Sequence, residues 1–132
     1  MKRLLFLFSV LSLSVLAITA ASGCSAVAAV TGPPAYETRT ISVGPGREVY
    51  FALPSLKVGQ TLEGYFVTDG GNNDIGFKIQ GPSGGYLTNS TRVTGRHDFQ
   101  FKIPQDGPYT LFFSNGFSIV TSKVVTLSVR AY

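Results

Sequence analysis

In the segment Asp74-Ile-Gly-Phe-Lys-Ile-Gln80, the apolar residues Ile75, Phe77 and Ile79 alternate with Gly76, Lys78 and Gln80. An extended chain points successive side chains to opposite faces, so this alternation buries one face of a strand. A helix would need a period of about 3.6 instead. The same period of two governs Val49, Phe51 and Leu53 against Glu48, Tyr50 and Ala52. It returns in Phe99, Phe101 and Ile103 against Gln100 and Lys102, and in Val125, Leu127 and Val129 against Thr126, Ser128 and Arg130. No window from Glu37 onward carries a helical apolar stripe.

Between these runs fall Gly44-Pro45-Gly46, Asp69-Gly-Gly-Asn-Asn73, Gly81-Pro-Ser-Gly-Gly85, Gln105-Asp-Gly-Pro108 and Asn115-Gly116. Gly and Asn tolerate positive φ and Pro ends a ladder, so these stretches are expected to be hairpin turns. Seven to eight short strands at this spacing predict an all-β, antiparallel, jelly-roll-like β-sandwich over residues 37–132. Gln60–Thr68 and Pro108–Ser114 are apolar on both faces, through Leu62, Tyr65, Phe66 and Val67 in the first and Tyr109, Leu111, Phe112 and Phe113 in the second. Such strands suit the middle of a sandwich, covered on both sides, or one surface used for binding, and the first reading is favoured.

The 132 residues include one Cys, one His, no Trp, ten Phe and six Tyr, with a charged fraction of 14% and a mean hydropathy of +0.23. That balance disfavours a disordered chain, which pairs low hydrophobicity with high net charge. The length disfavours a two-domain enzyme. One Cys makes neither an internal disulfide nor a Cys-based zinc cage, and one His makes no multi-histidine metal site.

The excess of hydrophobicity lies at the front. Lys2 and Arg3 precede an apolar run, Leu4 to Ala21, and Ala21-Ser22-Gly23 then stand before Cys24. A basic start, an apolar stretch and small residues make the layout of a secretory signal. With Cys24 it resembles the bacterial lipoprotein signal, although Ala21 occupies a position where that family usually has Leu. The resemblance implies cleavage between Gly23 and Cys24 and lipid attachment to the Cys24 thiol, including palmitate-type acyl chains. Two or more chains would anchor the protein stably, whereas one would not. Ordinary secretory cleavage at the same small residues, or a retained apolar helix, remain open alternatives. The expected organisation is a signal peptide at 1–23, a tether at 24–36 containing Gly32-Pro33-Pro34, and the sandwich at 37–132. Loss of the signal removes two of the eleven basic residues and leaves a net charge of +2 in place of +4, so no nucleic-acid partner is expected.

The residues Gly64-Tyr-Phe-Val67, Asn73-Asp-Ile-Gly-Phe-Lys-Ile79, Gly107-Pro-Tyr-Thr-Leu-Phe-Phe113, Ser114-Asn115, Phe117-Ser118 and Ser122-Lys-Val-Val125 together resemble a GOLD (Golgi dynamics) domain over roughly residues 46–131. GOLD domains form the luminal part of transmembrane cargo receptors. The resemblance implies a binding module displayed on one side of a membrane. Those receptors continue into a coiled coil, a membrane helix and a sorting tail, whereas this chain stops at Tyr132 and lacks the paired Cys, so coat recruitment is not expected to carry over. Val58-Gly-Gln-Thr-Leu62 also resembles the pre-peptidase C-terminal type of sandwich, which supplies an alternative reading as a carbohydrate- or envelope-binding accessory domain.

Within this frame Asp74 is expected to bond back to its turn amides, and Asn115 to nearby backbone. A triad from His97, Asp98 and Ser90 is disfavoured, with His97 read as an exposed polar side chain. The Asp69–Asp74 loop lacks the full calcium-ligand series of an EF-hand and reads as a plain turn. Asn89-Ser90-Thr91 matches a glycosylation sequon and reads as loop. Tyr50, Tyr65, Tyr86 and Tyr132 could offer stacking faces to a sugar. The expectation is therefore a non-catalytic module with no cofactor and no metal. It is exported, lipid-anchored on the extracytoplasmic side, and binds a protein or lipid partner.

Overall fold

The period of two becomes eight strands in the computed structural model, which describes residues 35–132; Cys24, Gly23, the signal and most of the tether lie outside the described residues. The strands are β1 (Glu37–Val43), β2 (Glu48–Leu56), β3 (Thr61–Asp69), β4 (Asp74–Gln80), β5 (Tyr86–Thr94), β6 (Arg96–Lys102), β7 (Gly107–Ser114) and β8 (Lys123–Ala131). They form two four-stranded sheets with orders β1-β8-β3-β6 (sheet A) and β2-β7-β4-β5 (sheet B). All pairings are antiparallel. This interleaving of two sheets is the jelly roll.

The alternation expected from the sequence is the alternation observed. Ile75, Phe77 and Ile79 of β4, Tyr109, Leu111 and Phe113 of β7, and Val125, Leu127 and Val129 of β8 are buried. β3 and β7, apolar on both faces, are interior strands of their sheets. Across the gap, Phe66 packs on Phe77 at 4.9 Å and on Phe113 at 5.1 Å between ring centres. Phe99 meets Phe77 at 5.3 Å. Burial of each such side chain contributes roughly 1.5–3 kcal/mol. Gly64 is required here, because a Cβ would lie 2.6 Å from the Phe99 ring and 2.5 Å from the Ser128 carbonyl oxygen.

The chain reverses at the Gly, Pro and Asn stretches as expected, but most of these turns are not hairpins. Only the 81–85 turn joins neighbours in one sheet, β4 and β5. The turns at 44–46, 69–73, 105–108 and 115–116 carry the chain from one sheet to the other. The sequon at 89–91 lies within edge strand β5 and not in a loop. Four connections, after β1, β3, β5 and β7, gather at one end of the sandwich, while Ala35 and Tyr132 sit at the other.

At the loop end the chain is tied by side chains. Asn115 is fully buried and its Nδ2 donates to the carbonyls of Val43 (3.3 Å), Gly44 (3.2 Å) and Thr121 (2.8 Å), as its position at the end of β7 suggested. Asp74 does not turn back to its loop. Its carboxylate accepts from Lys123 Nζ at 2.7 Å and from Arg92 Nε at 2.6 Å. Lys123 occupies an inward position of β8, 3% exposed, and reaches across to the 7%-exposed carboxylate and to the Gly70 carbonyl at 2.9 Å. A buried ammonium needs such partners, and the strand pattern offers no other place for it. The hydrogen bond from Lys123 holds the Asp74 carboxyl below its ordinary pKa, with Arg92 adding to the effect. Gly70, at φ +104°, lets the loop pass; a Cβ there would meet the Ser122 carbonyl at 2.5 Å.

Candidate functional site

Strand alternation sends Glu63 and Tyr65 of β3, Arg96, Asp98 and Gln100 of β6 and Arg130 of β8 to the outer face of sheet A, opposite the core. Tyr36 and Tyr132, from the two described chain ends, close over the same face. Glu63 is its centre. Its carboxylate accepts from the Tyr36 hydroxyl, from Arg130 Nη2 at 2.7 Å, from the Tyr132 hydroxyl at 2.8 Å and from Gln100 Nε2 at 3.1 Å. These donors, with Tyr36 first, Arg130 second and Tyr132 third, hold its carboxyl at about 2. The two tyrosine hydroxyls are correspondingly pushed up, chiefly by donating to Glu63.

The rings are covered by guanidinium groups. Arg96 lies 3.9 Å from the centre of Tyr65 and pairs with Asp98 at 2.8 Å. Arg130 lies 4.3 Å from the centre of Tyr36. Tyr36 meets Tyr65 edge-on at 5.9 Å. Between them lies an open depression of about 510 Å³, bounded by Tyr36, Glu63, Tyr65, Arg96, Asp98 and Gln100. Within the cluster the charges pair, Arg130 with Glu63 and Arg96 with Asp98, and the side chains are held by one another on the sheet. Tyr and Arg are the residues enriched where protein interfaces concentrate their binding energy.

Sheet B presents a second, sparser outer face. Tyr50 is largely exposed and lies 6.2 Å from Phe112, with Lys78 4.8 Å above the Phe112 ring and 5.6 Å from the half-exposed Tyr86. The four tyrosines singled out in the sequence therefore divide. Tyr65 and Tyr132 belong to the Glu63 cluster, and Tyr50 and Tyr86 stand on sheet B.

The structure does not assemble a triad. His97 is not exposed as expected, because it shares the inward register of Phe99 and its ring packs on Phe66 (5.4 Å) and Phe77 (5.6 Å). Asp98 points to the other face and is engaged by Arg96. In the 69–74 loop the Asp74 carboxylate is already held by an ammonium and a guanidinium, which leaves Asp69 as the only other carboxylate of that loop. Among the described residues no helix is long and apolar enough to cross a membrane. The sequence did not single out Glu63, Arg96 or Arg130. Tyr36, placed by the sequence in the tether, packs on the sandwich.

The fold is thus an eight-stranded jelly roll whose clustered polar side chains lie on an open sheet face. Residues 39–131 match the family model described as emp24/gp25L/p24 family/GOLD, and the chain belongs to that family. The mouse transmembrane emp24 domain-containing protein 5 is 35% identical over 88 residues, which cover 65% of this chain and 37% of that protein. The chain thus spans little more than a third of that relative's length. Among solved structures, the Aeromonas hydrophila periplasmic inhibitor of g-type lysozyme, PliG, superposes with a TM-score of 0.53 at 17% identity, over 74% of this chain and 87% of that one. That likeness is one of fold.

Proposed function

We propose that this chain is a non-catalytic binding module, exported and held on the extracytoplasmic side of a membrane by lipid on Cys24, that engages a protein partner through the outer face of sheet A. The observation that carries this reading is the Glu63 cluster. Three tyrosines and two arginines are fixed on a rigid strand surface, their charges balanced internally. A preorganised surface of this kind loses little side-chain freedom on binding. The family membership supports a binding role, and the sequence from Lys2 to Cys24 supports export and acylation.

A photo-crosslinking side chain in place of Gln100, in the native membrane, is expected to yield a discrete protein adduct. The same group in place of Thr110, on sheet B, is expected to yield none. Cys24→Ser is expected to release the protein from membranes and to remove the acyl mass. Retention of the variant in membranes, with an unacylated wild type, would refute the anchor.

Sheet B supports a second reading, carbohydrate binding, because Tyr50 and Tyr86 expose ring faces that Tyr65 does not. A glycan array on which binding is lost with Tyr50→Ala or Tyr86→Ala, and kept with Tyr65→Ala, would favour it.

A further inference from the structure

The loop between β7 and β8 ends in an apolar apex. Ile119 is 89% exposed and Val120 82% exposed, with Phe117 beside them. No residue between Gly116 and Ser122 is charged. The exposure is built in. Asn115 Nδ2 donates to the Thr121 carbonyl at 2.8 Å, and Ser118 Oγ donates to the same carbonyl at 3.1 Å. The Thr121 amide returns a bond to Ser118 Oγ at 3.1 Å, and the Gly46 amide ties the Ser118 carbonyl at 2.8 Å. This frame holds Ile119 and Val120 outward, where neither can fold back onto the core. Exposed apolar clusters of this kind mark contact surfaces.

We infer that this apex inserts into an anionic lipid surface. Two observations favour a bilayer over a protein. The apex is convex and consists of three large apolar side chains, far short of the roughly 20–30 residues per side of a stable protein interface. Its surroundings carry an excess of one positive charge: Arg47 has no ion-pair partner among the described residues, and the Arg92 guanidinium stacks on Phe117 at 3.9 Å while paired with Asp74. Arg47, Arg92 and Lys123 stand at this end against Asp69 and Asp74, while the Glu48–Lys78 and Arg96–Asp98 pairs cancel. Lipid phosphates complement that excess, and burial of Ile119 and Val120 among acyl chains supplies the apolar part. The inference does not depend on a lipid on Cys24.

Because the chain has no Trp, a single Val120→Trp substitution reports on the apex alone in the full-length protein. Val58→Trp, at a 61%-exposed site on the opposite end, is the matched control. With phosphatidylcholine vesicles containing phosphatidylglycerol, Val120→Trp emission is expected to shift to the blue and to be quenched by brominated acyl chains. The Val58→Trp emission should do neither. Adding Ile119→Glu to Val120→Trp should weaken partitioning at least tenfold with no change in the unfolding midpoint, and Arg47→Glu should weaken it less. Unchanged emission from Val120→Trp, or equal quenching at both sites, would overturn the inference. So would a blue shift that grows with protein concentration in the absence of lipid, which would assign the apex to a second copy of the chain.

Discussion

Asp74 and Glu63 are the same chemistry at two depths. Both are carboxylates held below their ordinary pKa by a basic side chain and further donors. Asp74 sits under the loop end with its ammonium partner almost out of water, and Glu63 sits on an open sheet with Arg130 about one-fifth exposed. In the first case, removal of a partner leaves a charge that water cannot reach. In the second, solvent takes the partner's place. The depressed carboxyl at Asp74 is thus a property of the scaffold, and the one at Glu63 belongs to a surface that the fold can spare.

Lys123→Ala strands Asp74 and should be the costliest change, about 3–5 kcal/mol in urea unfolding. A loss below about 1 kcal/mol would mean that Arg92 and water suffice, and would erase the contrast. Asn115→Ala removes the donor to three carbonyls of the same end and should cost about 1–3 kcal/mol. Tyr109 is buried and its hydroxyl donates to the Gln105 carbonyl at 2.8 Å, so Tyr109→Phe should cost about 0.5–1.5 kcal/mol.

Glu63→Gln should change stability at pH 7 less than Lys123→Ala. Its signature is the pH profile. The folded-state carboxyl titrates at about 2 and the ordinary value is 4.5, so its contribution is present above about 4.5 and disappears as pH falls toward about 2. The wild type should lose stability more steeply than Glu63→Gln across that window, and parallel profiles would contradict the donor network.

The contrast explains what the sequence disclosed. Strands β4, β6 and β8 were legible because their inward faces are apolar and their outward faces polar. β1 and β5 gave no such signal. Both are edge strands whose residues are mostly exposed, so little burial is written into them. The turn residues announced chain reversal, but Gly, Pro and Asn say nothing about which sheet receives the next strand. That choice is made by core packing. A lone ring beside Gly95-Arg96 looks like exposed polar surface, yet the inward register of Phe99, counted back two residues, claims His97. The bond from Lys123 to Asp74 spans 49 positions, and no local pattern carries it. The Glu63 cluster was hidden for the same reason: its members come from β3, β6, β8 and both described chain ends, and only the sheet order brings them together.

The measurement that bears most directly on the account is the yield of the Gln100 crosslink in Tyr65→Ala and Arg96→Ala, well below the unfolding midpoint. The account predicts that the adduct disappears in both variants while the unfolding transition stays in place. An undiminished adduct, or a loss that merely tracks unfolding, would contradict the assignment of binding to the outer face of sheet A.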